Sequence, residues 1–104
     1  MISATFHRQS GSLLSVCVSG HAEFADPGQD IVCASVSSAV MLTANTITEI
    51  FSIKADVSAT ADAVTIRLSE MSADGSRLLE GLLLHLKEIA CDFPDNLKLQ
   101  ITEV

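Results

Sequence analysis

The 104-residue sequence has no tryptophan and no tyrosine, and its only aromatic side chains are four phenylalanines. Aliphatic side chains therefore have to fill the core. Positive charge is scarce: six Lys and Arg stand against 13 Asp and Glu, for a net charge of -7. No basic patch is available to displace phosphate counterions, so nucleic acid is not an expected partner. The acidity suits solubility, or attraction to a basic protein. The three cysteines, Cys17, Cys33 and Cys91, are odd in number and none forms a Cys-x-x-Cys pair. Neither a disulfide framework nor a zinc site is expected, and no cofactor is implied. Free thiols fit a reducing cytosol, which is the expected location. No charged n-region with an apolar h-region opens the chain, so no signal peptide is expected. The long apolar run 31–51 is interrupted by Ser35, Ser37, Ser38, Thr43, Asn45, Thr46, Thr48 and Glu49. It reads as a buried core helix, and no membrane partner is expected.

What is present is enough for one domain. The hydrophobic fraction is 48%, too high for disorder and sufficient for one core. Residues 2–8 alternate, with Ile2, Ala4 and Phe6 on one side. Gln9-Ser10-Gly11-Ser12 reads as a turn, and residues 13–19 alternate again with Leu14, Val16 and Val18 inward. A helix is expected over 31–51, then a second hairpin from 53–58 and 63–70 turning near Ala61-Asp62. Residues 71–75 lead into a second helix ending near Cys91. Its stripe is Leu78, Leu79, Leu82, Leu83, Leu86, Ile89 and Ala90, opposite Arg77, Glu80, Lys87 and Glu88. Leu84 falls among those charges and is a candidate subunit contact. Leu97, Leu99 and Ile101 alternate in a last strand. The expected fold is α+β: a single mostly antiparallel sheet of about five strands, ordered ββαββαβ, with two helices packed on one face.

Chemistry concentrates in residues 20–37. His21 stands at the end of a strand and Cys33 near the start of a helix. Asp30 fits an N-cap, which would set Cys33 among the unpaired amides at the positive end of the helix dipole. An imidazole folded over that turn would make a thiol nucleophile with its base, and the free amides could hold an oxyanion. Ser37 lies one turn beyond Cys33 on the same face, where it could support the site or bond back to a carbonyl. The intervening loop 21–29, turned by Pro27-Gly28, reads as a mobile flap over the nucleophile. His7, His85 and Cys17 carry no expected role.

The string Gly20-His21-Ala22, Gly28, Asp30-Ile31-Val32-Cys33-Ala34 and Val36-Ser37 resembles the Prp family of bacterial ribosomal-processing cysteine proteases. The resemblance implies a cysteine endopeptidase that removes the N-terminal extension of a large-subunit ribosomal protein and so supports ribosome assembly. It implies a homodimer with a catalytic dyad of His21 and Cys33, Asp30 and Ser37 as supporting residues, and Ala22, Glu23, Phe24 and Gly28 in a flexible substrate loop. Ser35, where the family often has alanine, and Pro27 depart from the pattern without touching the dyad. Two rival readings remain at this point: an acidic escort for a basic ribosomal protein, and a redox-sensing thiol at Cys33.

Overall fold

The computed structural model describes residues 1–20 and 27–103, with the backbone alone for residues 27–30. Strand β1 (Ile2–Gln9) turns through Ser10 and Gly11 into β2 (Ser12–Ser19). Both turn residues take positive φ, +53° and +84°. That is the I′ geometry whose twist matches a two-residue hairpin. Helix α1 (Pro27–Asn45) continues into a π-helical turn, Thr46–Ile50. The chain leaves it through Ser52 at φ +53°, with the amide of Ile53 bonded to the carbonyl of Ile47 at 2.9 Å. Then come β3 (Ala55–Ala59), β4 (Ala63–Leu68), α2 (Ala73–Asp92) and β5 (Leu97–Glu103). Ser72 caps α2, accepting from the amide of Gly75 at 3.1 Å.

The five strands form one sheet in the order β3-β4-β2-β1-β5. Every pairing is antiparallel except β1 with β5, which is parallel. The expected α+β class and mostly antiparallel sheet therefore hold, with one parallel pair at β1 and β5. Helix α2 makes the difference: it carries the chain back along the sheet, so β5 enters beside β1 in the same direction.

A single core fills the space between one sheet face and both helices. Phe6, Leu13, Val16, Ile66 and Leu68 come from the strands, and Leu79, Leu82, Leu83 and Leu86 from α2. Leu13 was not in the expected inward set. The register slips between His7 and Arg8, so that Arg8 faces Leu13 while Leu14 is the extra residue. This bulge turns Leu13 into the core. Helix α1 and the π-helical turn that follows it bury one stripe, Val32, Val36, Val40, Ala44 and Ile47. By length and composition the segment could also cross a membrane, a test that core helices pass as well. Its threonines bond back within the helix: Thr43 to the carbonyl of Ala39 at 2.8 Å, Thr46 to Leu42 at 2.7 Å and Thr48 to Ala44 at 3.1 Å.

The sheet's other face carries Thr5, His7, Cys17, Thr65 and Arg67, by the parity of the strands. Cys17 lies there as expected, and all three cysteines are free. At the bulge, Arg8 reaches across to α2. It forms a two-pronged ion pair with Glu80, in which Nη2 donates to Oε2 at 3.3 Å and Nη1 donates to Oε1. The bond and the negative charge of Glu80 raise the guanidinium's pKa further.

Candidate active site

The site forms where three elements meet at one end of the sheet. Gly20 follows the last residue of β2, Cys33 and Ser37 stand on α1, and the turn between β3 and β4 supplies Thr60, Ala61 and Asp62. Gly20 has φ +87°, and a Cβ there would fall 2.4 Å from the carbonyl oxygen of Met1. Only glycine fits so close an approach in that conformation. The amide of Gly20 donates to the carbonyl of Asp62 at 3.3 Å, tying the end of β2 to the β3–β4 turn. Thr60 makes that turn rigid. Its Oγ1 accepts from the amides of Asp62 at 3.2 Å and Ala63 at 3.1 Å, and its own amide donates to the carbonyl of Ala63 at 2.9 Å.

Between these walls lies a pocket of about 310 Å³. Ile2, Val18, Val36 and Val64 make its apolar floor, and Cys33, Ser37, Thr60 and Asp62 supply its polar groups. Cys33 is half-buried at the edge of the α1 core stripe. A thiol there rests on packed side chains while lining the pocket. Among the described residues, no group of His, Cys, Asp and Glu could hold a metal ion. A larger groove of about 520 Å³ runs between α1 and α2 past Leu42, Leu78 and His85, but Cys33 does not line it.

The expected site residues fare differently. Cys33 and Ser37 are brought together on one wall of the pocket. His21, Ala22, Glu23 and Phe24 lie outside the described residues, as does the side chain of Asp30. The start of α1 requires a correction. The helix begins at Pro27, not near residue 31, so Gly28 belongs to its first turn rather than to a loop, and Asp30 is inside the helix rather than at its N-cap. Proline at the first helical position is favoured because its missing N–H would be unpaired anyway. Cys33 is therefore in the second turn. The free amides of a helix are its first four, so an oxyanion donor from α1 has to be sought in the turn before Cys33.

Thr60 and Asp62 were not among the expected site residues. Residues 61 and 62 were legible as a turn, but their place beside Cys33 depends on β4 pairing with β2, Ser19 opposite Ala63. No local pattern reports that pairing.

Comparison with known proteins identifies the fold and the family. The family model for cysteine protease Prp matches residues 1–98. The ribosomal processing cysteine protease Prp of Bacillus subtilis strain 168 is 32% identical over 106 residues, covering 94% of this chain and 95% of its own. The crystal structure of SMU.848 from Streptococcus mutans superposes with a TM-score of 0.89 at 30% identity, over 100% of this chain and 96% of that one. The essential ribosomal processing protease Prp of Staphylococcus aureus has been solved with a covalently linked product peptide. It superposes with a TM-score of 0.87 at 25% identity, over 98% of this chain and all of the other. With the fold, the thiol-bearing cleft and a match over nearly the whole sequence in agreement, this chain belongs to the Prp family of cysteine proteases.

Proposed function

We propose that this chain removes the N-terminal extension of a large-subunit ribosomal protein, with Cys33 as the nucleophile and His21 as its base. The observation that carries the proposal is the position of Cys33. It lines a cleft walled by Gly20, the residue joined directly to His21. The names of the Bacillus and Staphylococcus relatives, both ribosomal processing proteases, support the substrate class.

In this reading the Cys33 thiol gives its proton to His21, and Sγ attacks the carbonyl carbon of the scissile bond. The tetrahedral intermediate collapses as His21 returns the proton to the leaving amine. The mature ribosomal protein departs with a new N-terminus, and the extension stays on Cys33 as a thioester. Water, deprotonated by His21, then attacks the thioester and frees the extension's carboxylate and the thiol. Ser37 supports the cleft one turn beyond the nucleophile, and Asp30 acts from the turn before it. A homodimer working in the cytoplasm during ribosome assembly completes the proposal. Its partner is a basic protein, matched to the -7 charge, rather than nucleic acid or a membrane.

The test is intact-mass spectrometry of the host's large-subunit ribosomal protein, carrying any native extension, after incubation with this protein. One cut near the N-terminus is expected, and it should vanish with Cys33→Ala and with His21→Ala. Tight binding without a cut, equal for the parent protein and Cys33→Ala, would replace the protease with an escort. Full cleavage by His21→Ala would remove the dyad.

A further inference from the structure

The Cys33 pocket has one charged wall. Among the described residues that line it, only Asp62 carries a fixed charge. The strand register puts it there. Val16 and Val18 of β2 and Val64 and Ile66 of β4 face α1, and Asp62 has the parity of the last two. The bond from the Gly20 amide to the Asp62 carbonyl carries the β2–β4 ladder one residue past Ser19 and Ala63. Glycine therefore stands opposite Asp62 and has no side chain to cover it. Thr60 Oγ1 accepts from the Asp62 amide at 3.2 Å. With both backbone groups of Asp62 fixed, a rigid turn presents its exposed side chain at the pocket.

We propose that Asp62 binds a lysine or arginine side chain of the substrate close to the scissile bond. The inference rests on the reading of Cys33 as the nucleophile. The sign of the charge chooses the occupant. No lysine or arginine is among the described residues lining the pocket, so the Asp62 carboxylate attracts a cationic side chain and repels an acidic one. A carboxylate accepts from several donors at once, so a bound cation adds to its partners. The size of the pocket sets the position. A cavity of about 310 Å³ takes only about two or three residues of extended chain, at about 3.3 Å each, so the cation lies within about three residues of the cut. The net charge of -7 draws a basic protein to the whole surface, whereas Asp62 acts on one side chain at the thiol.

The test uses two thiol reagents of opposite charge, trimethylammonioethyl and sulfonatoethyl methanethiosulfonate. With either, a thiolate attacks the sulfenyl sulfur, a mixed disulfide forms and methanesulfinate leaves. Rates at each cysteine are followed by non-reducing peptide mapping at low salt. The ratio of the cationic to the anionic rate at Cys33 should fall about fivefold in Asp62→Asn and hold in Asp62→Glu. At exposed Cys91 it should not change. Asp56→Asn removes the same charge from β3 on the opposite face of the sheet, where Asp56 stands across from Arg67, and should leave the Cys33 ratio as in the parent. The Asp62 bonds to Gly20 and Thr60 run through its backbone, so Asn preserves them, and far-UV circular dichroism checks that each variant folds. Binding of the host's large-subunit ribosomal protein to Cys33→Ala is measured in parallel, and adding Asp62→Asn should weaken it about threefold. Changing the lysine or arginine beside the cut to glutamine should slow cleavage by the parent about threefold, and cleavage by Asp62→Asn no further.

An unchanged ratio at Cys33 in Asp62→Asn overturns the proposal, because the carboxylate then does not act at the thiol. So does an equal fall in Asp56→Asn, since any surface charge would then serve. A glutamine substitution that costs Asp62→Asn as much as it costs the parent overturns it too. Cleavage and binding together separate the two readings. A Cys33-dependent cut unaffected by Asp62→Asn removes the role of Asp62 alone, whereas binding weakened by Asp62→Asn with no cut by the parent keeps the contact with the cation and removes the protease.

Discussion

Replacing Gly20 with alanine should damage both the fold and the site. At φ +87° an L-residue pays a conformational cost of about 1–2 kcal/mol. The new Cβ would also lie 2.4 Å from the carbonyl oxygen of Met1, which is backbone and cannot rotate away. Either β2 or the start of β1 has to move. The bond from the Gly20 amide to Asp62, 3.3 Å long, is then weakened, at about 0.5–1.5 kcal/mol. Together these two figures come to about 1.5–3.5 kcal/mol, or a fall in Tm of about 6–28 °C for a domain of this size. Two other glycines separate the contributions. Gly11 has φ +84° with nothing within 4 Å of a Cβ, so Gly11→Ala reports the conformational cost alone. Gly81 has ordinary φ, open space and a helical position, so Gly81→Ala should raise stability by up to about 1 kcal/mol. Thermal melts by circular dichroism give the order Gly81→Ala, parent, Gly11→Ala, Gly20→Ala, from most to least stable. Alkylation of Cys33, normalised to Cys91, should change only in Gly20→Ala. If Gly20→Ala melts with Gly11→Ala and keeps the parent alkylation rate, the contact with Met1 does not constrain the site and the reasoning fails.

Other consequences follow from the same geometry. Thr60→Val keeps the shape of the turn but removes the acceptor for two amides, costing about 0.5–1.5 kcal/mol in denaturant titration. It should also slow peptide cleavage, with Thr60→Ser restoring it, because the same turn walls the Cys33 pocket. Arg8→Ala should cost no more than about 1 kcal/mol, since its pair with Glu80 is partly exposed at 22% and 41%. That loss should shrink further in high salt, measured as the difference in Tm from the parent. Phe6→Ala, by contrast, empties a fully buried position and should cost about 3–5 kcal/mol by chemical denaturation.

The periodic elements were legible because their signal is local. Alternation placed Ile2, Ala4 and Phe6 on the core face of β1, and Val64, Ile66 and Leu68 follow the same rule on β4. The leucine stripe of α2 and the exposed Leu84 outside it follow from a period of 3.6. Leu13 shows where alternation fails: a bulge shifts parity by one residue, and its trace in the sequence is only two adjacent leucines. The start of α1 was misplaced because Asp30 looks like a cap, whereas Pro27 takes the first helical position three residues earlier. At the site, Cys33 and Ser37 could be paired from helical spacing, but the facing wall could not be read at all.

By itself, then, the sequence determined the class of fold, the faces of its strands and helices, the thiol at Cys33 and, through the motif around it, the family. Those depend on side-chain periodicity and on short runs of residues. Only the tertiary structure decided that β5 lies parallel to β1 and that Thr60 and Asp62 line the same pocket as Cys33. Each of these joins residues distant in the chain through strand pairing or helix docking, and such contacts are chosen by the packing of the whole core rather than by any segment of it.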